Sequence, residues 1–177
     1  MSEAAGNTRQ SLLRRVDGVG ERLARHAAAP VPAGLTAPDQ PSGEQWDAGQ
    51  VWAHIAEFIA YWIAQADQVL DGNARAAIDA QPVPFGRVKS DPARIAAIAH
   101  YRRTQPAAQL ATIEGDLDAL RDFIASVPED RWSAQGLHQT LGVMTLEQIV
   151  DEFLVGHLEQ HADQLDGLAA QHSRPLL

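Results

Sequence analysis

The chain contains no cysteine. Disulfides, thiolate metal ligands and a protein thiol nucleophile are therefore excluded, and any metal must be held by His, Asp or Glu. The lack of disulfides fits a reducing cytosol. Positive charge is also scarce: 14 Lys and Arg stand against 23 Asp and Glu, a formal net charge of −9. Nucleic acid and anionic membrane attract basic patches, so neither is expected as a partner. No apolar run approaches the roughly 20 residues that a membrane span needs. Residues 1–10 are polar and lack a signal-peptide core, so a soluble, cytoplasmic protein is expected.

Several catalytic signatures are missing too. HExxH is absent, because Glu159 stands two residues after His157 rather than one, pointing well away from the imidazole face. No Glu-x-x-His occurs, which removes the di-iron pattern of ferritin-like bundles. There is no CxxCH for covalent haem, no G-x-S-x-G, no Walker loop and no Gly-rich dinucleotide fingerprint.

What remains is helical pattern. At 177 residues with 45% hydrophobic content, the sequence fits one domain, residues 1–177, with a core that needs no staples. Leu12, Val16, Val19 and Leu23 mark a first amphipathic helix over Thr8 to Ala28, stopped by Pro30 and Pro32. Residues 30–45 carry four prolines and two glycines and read as a connection. Asp47 and Gln50 form a capping box, with Trp46 and Val51 as hydrophobic staple. From there Val51, His54, Ile55, Phe58, Trp62, Ala66 and Val69 trace a buried face as far as Asp71-Gly72. After a second connection over 72–90, Asp91-Pro92 starts a third helical region that Pro106 kinks or splits and Pro128 ends. Beyond a loop over 129–144, Thr145 and Gln148 make a second capping box, with Met144 and Ile149 as staple. No run alternates with period two for long enough to demand a sheet. Four main helices with long connections and no internal repeat predict an all-α four-helix bundle.

The last helix, Thr145 to Leu168, runs its apolar side through Val150, Leu154, His157, His161, Leu165 and Leu168. Two histidines thus occupy core positions one turn apart on one face, and His54 occupies a third such position on another helix. Buried ring nitrogens need partners. One solution is a metal held by His54, His157 and His161. Three neutral imidazoles suit Zn, Ni, Fe or Cu and suit Mg or Ca poorly, and they leave open positions for water or substrate. The other solution is three core histidines hydrogen-bonded to Glu57, Gln164 or buried water. With a metal, Glu57 and Gln164 become partners that fix the ring tautomers. Trp46, Trp52, Trp62 and Trp132 are expected to fill core or staple positions. His138 is expected at the surface or in a loop hydrogen bond, with substrate contact as the alternative, and Arg87 and Lys89 in a solvated loop that could meet an anionic substrate. His26, His100 and His172 show no partner pattern.

The segments Trp46-Asp-Ala-Gly-Gln-Val-Trp-Ala-His54-Ile-Ala-Glu57, Trp132-Ser, Gly142-Val-Met-Thr145-Leu and His157-Leu-Glu-Gln-His161-Ala-Asp-Gln164-Leu resemble the DinB/YfiT-like superfamily. That superfamily includes mycothiol-dependent maleylpyruvate isomerases and bacillithiol transferases, and the resemblance runs over about residues 10–170. It implies a four-helix bundle in which His54, His157 and His161 bind a divalent metal, often zinc or nickel, and in which homodimers are common. It also implies S-transfer or isomerisation of a small-molecule substrate, with a low-molecular-weight thiol as cosubstrate. The sterol-carrier-like C-terminal domain of some mycothiol-using relatives is not expected. Three other outcomes stay open: a metal-dependent hydrolase, a metal-binding, stress-associated bundle without turnover, and a metal-free dimeric scaffold.

Overall fold

The computed structural model describes residues 2–40, 42–75 and 81–172. It is mostly helical, as the periodicity predicts. Helix α1 (Ser2–Ala28) is followed by α2 (Ala48–Arg75), strand β1 (Val83–Phe85), α3 (Pro92–Tyr101) and α4 (Pro106–Ser126). A short 3-10 turn (Glu129–Arg131) leads into β2 (Gln135–His138) and β3 (Gly142–Thr145). The final helix has three successive segments: α5 (Leu146–Val150), a π-helical turn (Asp151–Val155) and α6 (Gly156–His172). Helix α4 packs on both α1 and α2, and α6 packs on the same two, so the order around the bundle is α1, α4, α2, α6. Successive helices α1 and α2 thus stand diagonally, which the long stretch between them permits.

The local signals act where the sequence places them. Asp47 Oδ1 accepts from the backbone N–H of Gln50 at 2.8 Å, and Gln50 Oε1 accepts from that of Asp47 at 3.1 Å. Thr145 and Gln148 close the second capping box at 3.2 and 2.8 Å. Pro106 splits the third region: α3 ends at Tyr101, and Pro106 opens α4 at a first-turn position where its missing N–H costs nothing. Helix α2 runs past Gly72 to Arg75, and α1 begins before Thr8. The stretch 76–80 of the second connection, Pro41 in the first connection and the side chain of His172 lie outside the described residues.

One expectation is overturned. A three-stranded sheet in the order β1-β2-β3 stands beside the bundle, with β1 parallel to β2 and β2 antiparallel to β3. Its strands are only three or four residues long, too short for a period of two to show in the sequence. The sheet pairs Phe85 with His138 and thereby carries two former loop segments to one place. Gly86 makes the close approach possible. Its φ is +91°, and a Cβ there would fall 2.6 Å from His138 Cδ2. Gln65 on α2 accepts from the Gly86 N–H at 2.7 Å and ties this turn to the bundle.

The core is continuous, from Val16 and Leu23 on α1 through Val51, Ile55 and Phe58 on α2 to Ile113 and Leu120 on α4 and Ile149, Leu154 and Leu158 on the last helix. Trp52 and Trp132 are buried in it, as expected. Among the described residues no helix is long and apolar enough to cross a membrane.

Candidate metal centre

His54 lies in the second turn of α2, held in register by the capping box just before it. His157 and His161 lie on successive turns of α6, immediately after the π turn. The three side chains converge. His157 Nε2 is 3.1 Å from His54 Nε2 and 3.0 Å from His161 Nε2. The rings stand nearly perpendicular to one another, at 86°, 88° and 88°, so their edges face a common point. Among the described residues these three form the one group whose ligand atoms lie within 4.8 Å of each other and could hold a metal ion.

Hydrogen bonding alone does not satisfy this cluster. Gln164 Oε1 lies 2.8 Å from His161 Nδ1, which makes that nitrogen the donor and leaves His161 Nε2 a bare lone pair. Among the described residues His54 Nδ1 is buried without a hydrogen-bond partner, with Glu57 Oε1 standing 3.5 Å away. A proton on His157 Nε2 could serve only one of its two neighbours. Three ligand bonds of zinc length set tetrahedral nitrogens about 3.3 Å apart, close to the spacing seen. The donor set therefore fits a divalent cation with affinity for nitrogen. Burial pushes His54 and His157 well below the ordinary imidazole value of 6.5, with His161 adding to the effect on each. Burial also lowers His161, to about 4, against the opposing pull of its Gln164 hydrogen bond. All three rings are thus neutral near pH 7, the form that binds metal.

Beside the rings opens a cavity of about 530 Å³, within the range of small-ligand sites. Trp46 and Trp62 are buried, as expected, but both also line this cavity. Trp46 stacks on His161 at 5.9 Å and 8° between planes, and Trp62 stacks on Phe153 of the π turn at 4.2 Å and 14°. Of the two places expected for His138, the loop hydrogen bond holds and the surface does not: the ring is buried and lines the cavity. The backbone N–H groups of Thr140 and Leu141 both point at its Nδ1, at 3.4 and 3.3 Å, so the ring proton sits on Nε2. Burial keeps that imidazole below its ordinary value.

The expected solvated loop at Arg87 is also corrected. Arg87 is largely buried, grips Glu57 through both carboxylate oxygens and lies 4.0 Å above the Tyr61 ring. Glu57 faces His54 but beyond hydrogen-bond length, while Gln164 meets His161 as anticipated. Lys89 is exposed and pairs with Asp39 at 3.0 Å. Arg94 had no sequence pattern to single it out. The first turn of α3 places it on the cavity wall, with its Cζ 5.3 Å from the Trp46 ring centre. His26 pairs with Asp166 at 2.6 Å, away from the site, and His100 packs against Tyr101.

The chain matches no protein-family model and no curated protein by sequence. By structure it is similar to the mycothiol-dependent maleylpyruvate isomerase, with a TM-score of 0.64 and 15% identity over 89% of this chain. A His-to-Ala mutant of that enzyme gives 0.63 and 16% over the same share. The chain spans 60% of the length of these two proteins. An uncharacterised protein from Escherichia coli UTI89 matches with a TM-score of 0.66 and 11% identity, over 95% of this chain and 96% of that one. At such identities the likeness is one of architecture: the chain shares the fold of these proteins.

Proposed function

We propose that His54, His157 and His161 hold one divalent metal ion, zinc or nickel, and that the adjoining cavity is the active site of an S-transferase. The enzyme would join a low-molecular-weight thiol, of mycothiol or bacillithiol type, to a small electrophile. The observation that carries this reading is the convergence of one ring nitrogen from each of the three histidines within 4.8 Å, with His54 and His161 buried. A bound divalent ion supplies Lewis acidity, lowering the pKa of a thiol or water toward neutrality. The fold neighbours named for mycothiol dependence support the thiol. So does the absence of cysteine, since the sulfur nucleophile must then come from outside the chain.

The chain's own residues do the rest. Gln164 fixes the His161 tautomer so that Nε2 offers its lone pair inward. Glu57, anchored by Arg87, presents a carboxylate toward His54 Nδ1 and favours the matching tautomer there. Trp46, Trp62 and Phe153 exclude water from one side of the cavity, which strengthens every electrostatic interaction inside it. His138 presents an Nε2–H donor at the cavity wall.

Metal analysis of the purified protein should find one equivalent, and His157→Ala should lose it. Turnover of a chromogenic aryl halide with a panel of thiols should depend on both metal and His157. Equal background rates for wild type and His157→Ala with every thiol would end the transferase reading. Stoichiometric metal without turnover would then leave a metal-binding bundle.

A further inference from the structure

The cavity holds three cationic side chains, and two of them are already neutralised. Arg87 is bound to Glu57, and Lys89 is paired with Asp39. Arg94 is different. Its Nη1 donates to the backbone carbonyl of Lys89 at 3.0 Å, and among the described residues no carboxylate lies within ion-pair distance of it. It is half-buried, and burial pulls against its charge; Glu44, Glu57 and Asp91 act the other way from a distance, Arg87 adds to the lowering, and Asp91 is itself engaged by Arg87 and the Ala93 N–H. Glu44 is engaged by Trp46 Nε1 at 2.7 Å, and Asp39 by Lys89 and Ser42. Glu152 also lines the cavity but has no ion-pair contact with Arg94. A guanidinium withdrawn from water with unused donors is poorly satisfied until an anion arrives. Its other neighbour is the Trp46 ring, which itself stacks on His161. Arg94 therefore stands one ring away from the candidate metal centre.

We propose that Arg94 is the specificity-determining residue of this cavity, and that the electrophile it selects is a small carboxylate with a flat apolar body. The carboxylate meets the guanidinium fork, for which paired N–H donors are the matching geometry. The flat body lies among Trp46, Trp62 and Phe153, whose rings wall the same cavity. This inference rests on the reading of the cavity as an active site, but it concerns charge recognition and does not require turnover.

The test uses benzoate and its neutral isostere benzamide, with tryptophan fluorescence as readout because Trp46 and Trp62 line the cavity. Each probe is titrated into wild type, Arg94→Gln and Arg94→Lys, with and without one equivalent of zinc. Wild type should bind benzoate about tenfold or more tightly than benzamide in both states. Arg94→Gln should abolish that preference while leaving benzamide binding unchanged, which also shows that the cavity is intact. Arg94→Lys should retain part of it. A benzoate preference that survives in Arg94→Gln would overturn the proposal. So would a preference seen only with zinc, since the carboxylate would then be reading the metal. Loss of zinc binding in wild type, with the Arg94-dependent preference kept, would sink the metal reading alone.

Discussion

Among single residues, either partner of the buried pair Glu57–Arg87 is costly to remove. Their side chains are 8% and 12% exposed, so removing one partner strands a charge away from water. Arg87→Met should destabilise the protein by about 3 kcal/mol in chemical denaturation, and adding Glu57→Met should recover much of that loss. In the proposed metal site Gln164 would act on the metal rather than on the fold. Its single acceptor sets the proton of His161, so Gln164→Ala should weaken zinc binding about 10- to 100-fold in a competition titration, with little change in the unfolding midpoint of the metal-free protein. Arg87 and Gln164 illustrate different degrees of legibility. Gln164 is three residues from its histidine and visible from spacing, whereas Arg87 reaches Glu57 from a separate loop that no periodicity connects to α2.

At the scale of elements, the π turn at Asp151–Val155 sets the rotation at which α6 enters the bundle. The Gly156 N–H donates to the carbonyl of Asp151, five residues back, and a Cβ at Gly156 would stand 2.8 Å from that oxygen. Gly→Ala inside a helix ordinarily stabilises by about 0.5–1 kcal/mol. Gly115, on α4 with nothing near its Cβ position, should follow that rule. Gly156→Ala should reverse its sign and lower the melting temperature, and a rise equal to that of Gly115→Ala would show that the π turn imposes no constraint. The apolar steps through Val150, Leu154, His157 and His161 are compatible with an uninterrupted α-helix, so the turn left no mark in the hydrophobic pattern. The small sheet was hidden for another reason: its pairings link residues 83–85 to 135–138, far apart in the chain.

For the whole molecule, the proposed metal and protons would act on the same three rings in opposite directions. A metal that binds the folded state alone stabilises it by about 2.7 kcal/mol at a hundredfold excess over its dissociation constant. Zinc should therefore raise the melting temperature of wild type and leave that of His54→Ala nearly unchanged, and chelator should undo the rise. Protons do the reverse. His161 is lowered from 6.5 to about 4, and His54 and His157 shift the same way, so the unfolded chain binds more protons in that window. Stability of the metal-free protein is then fully present above about pH 6.5 and falls as the pH drops toward 4. Thermal melts across that range check the sign, and replacing the three histidines with glutamine should flatten the slope.

The sequence by itself determined the helical bundle, both capping boxes, the break at Pro106 and the core-facing helical positions of His54, His157 and His161. Each of these rests on short-range chemistry: a period of 3.6, a side chain reaching a nearby N–H, or a ring lacking a donor. Tertiary structure alone decided that Trp46 and Trp62 serve as core and cavity wall at once, that His138 turns inward, and that Arg94 has no carboxylate within ion-pair distance among the described residues. Those outcomes depend on which segments a short sheet and a left-handed glycine bring together. Contacts between positions so far apart in the chain arise only when the packed bundle closes around them.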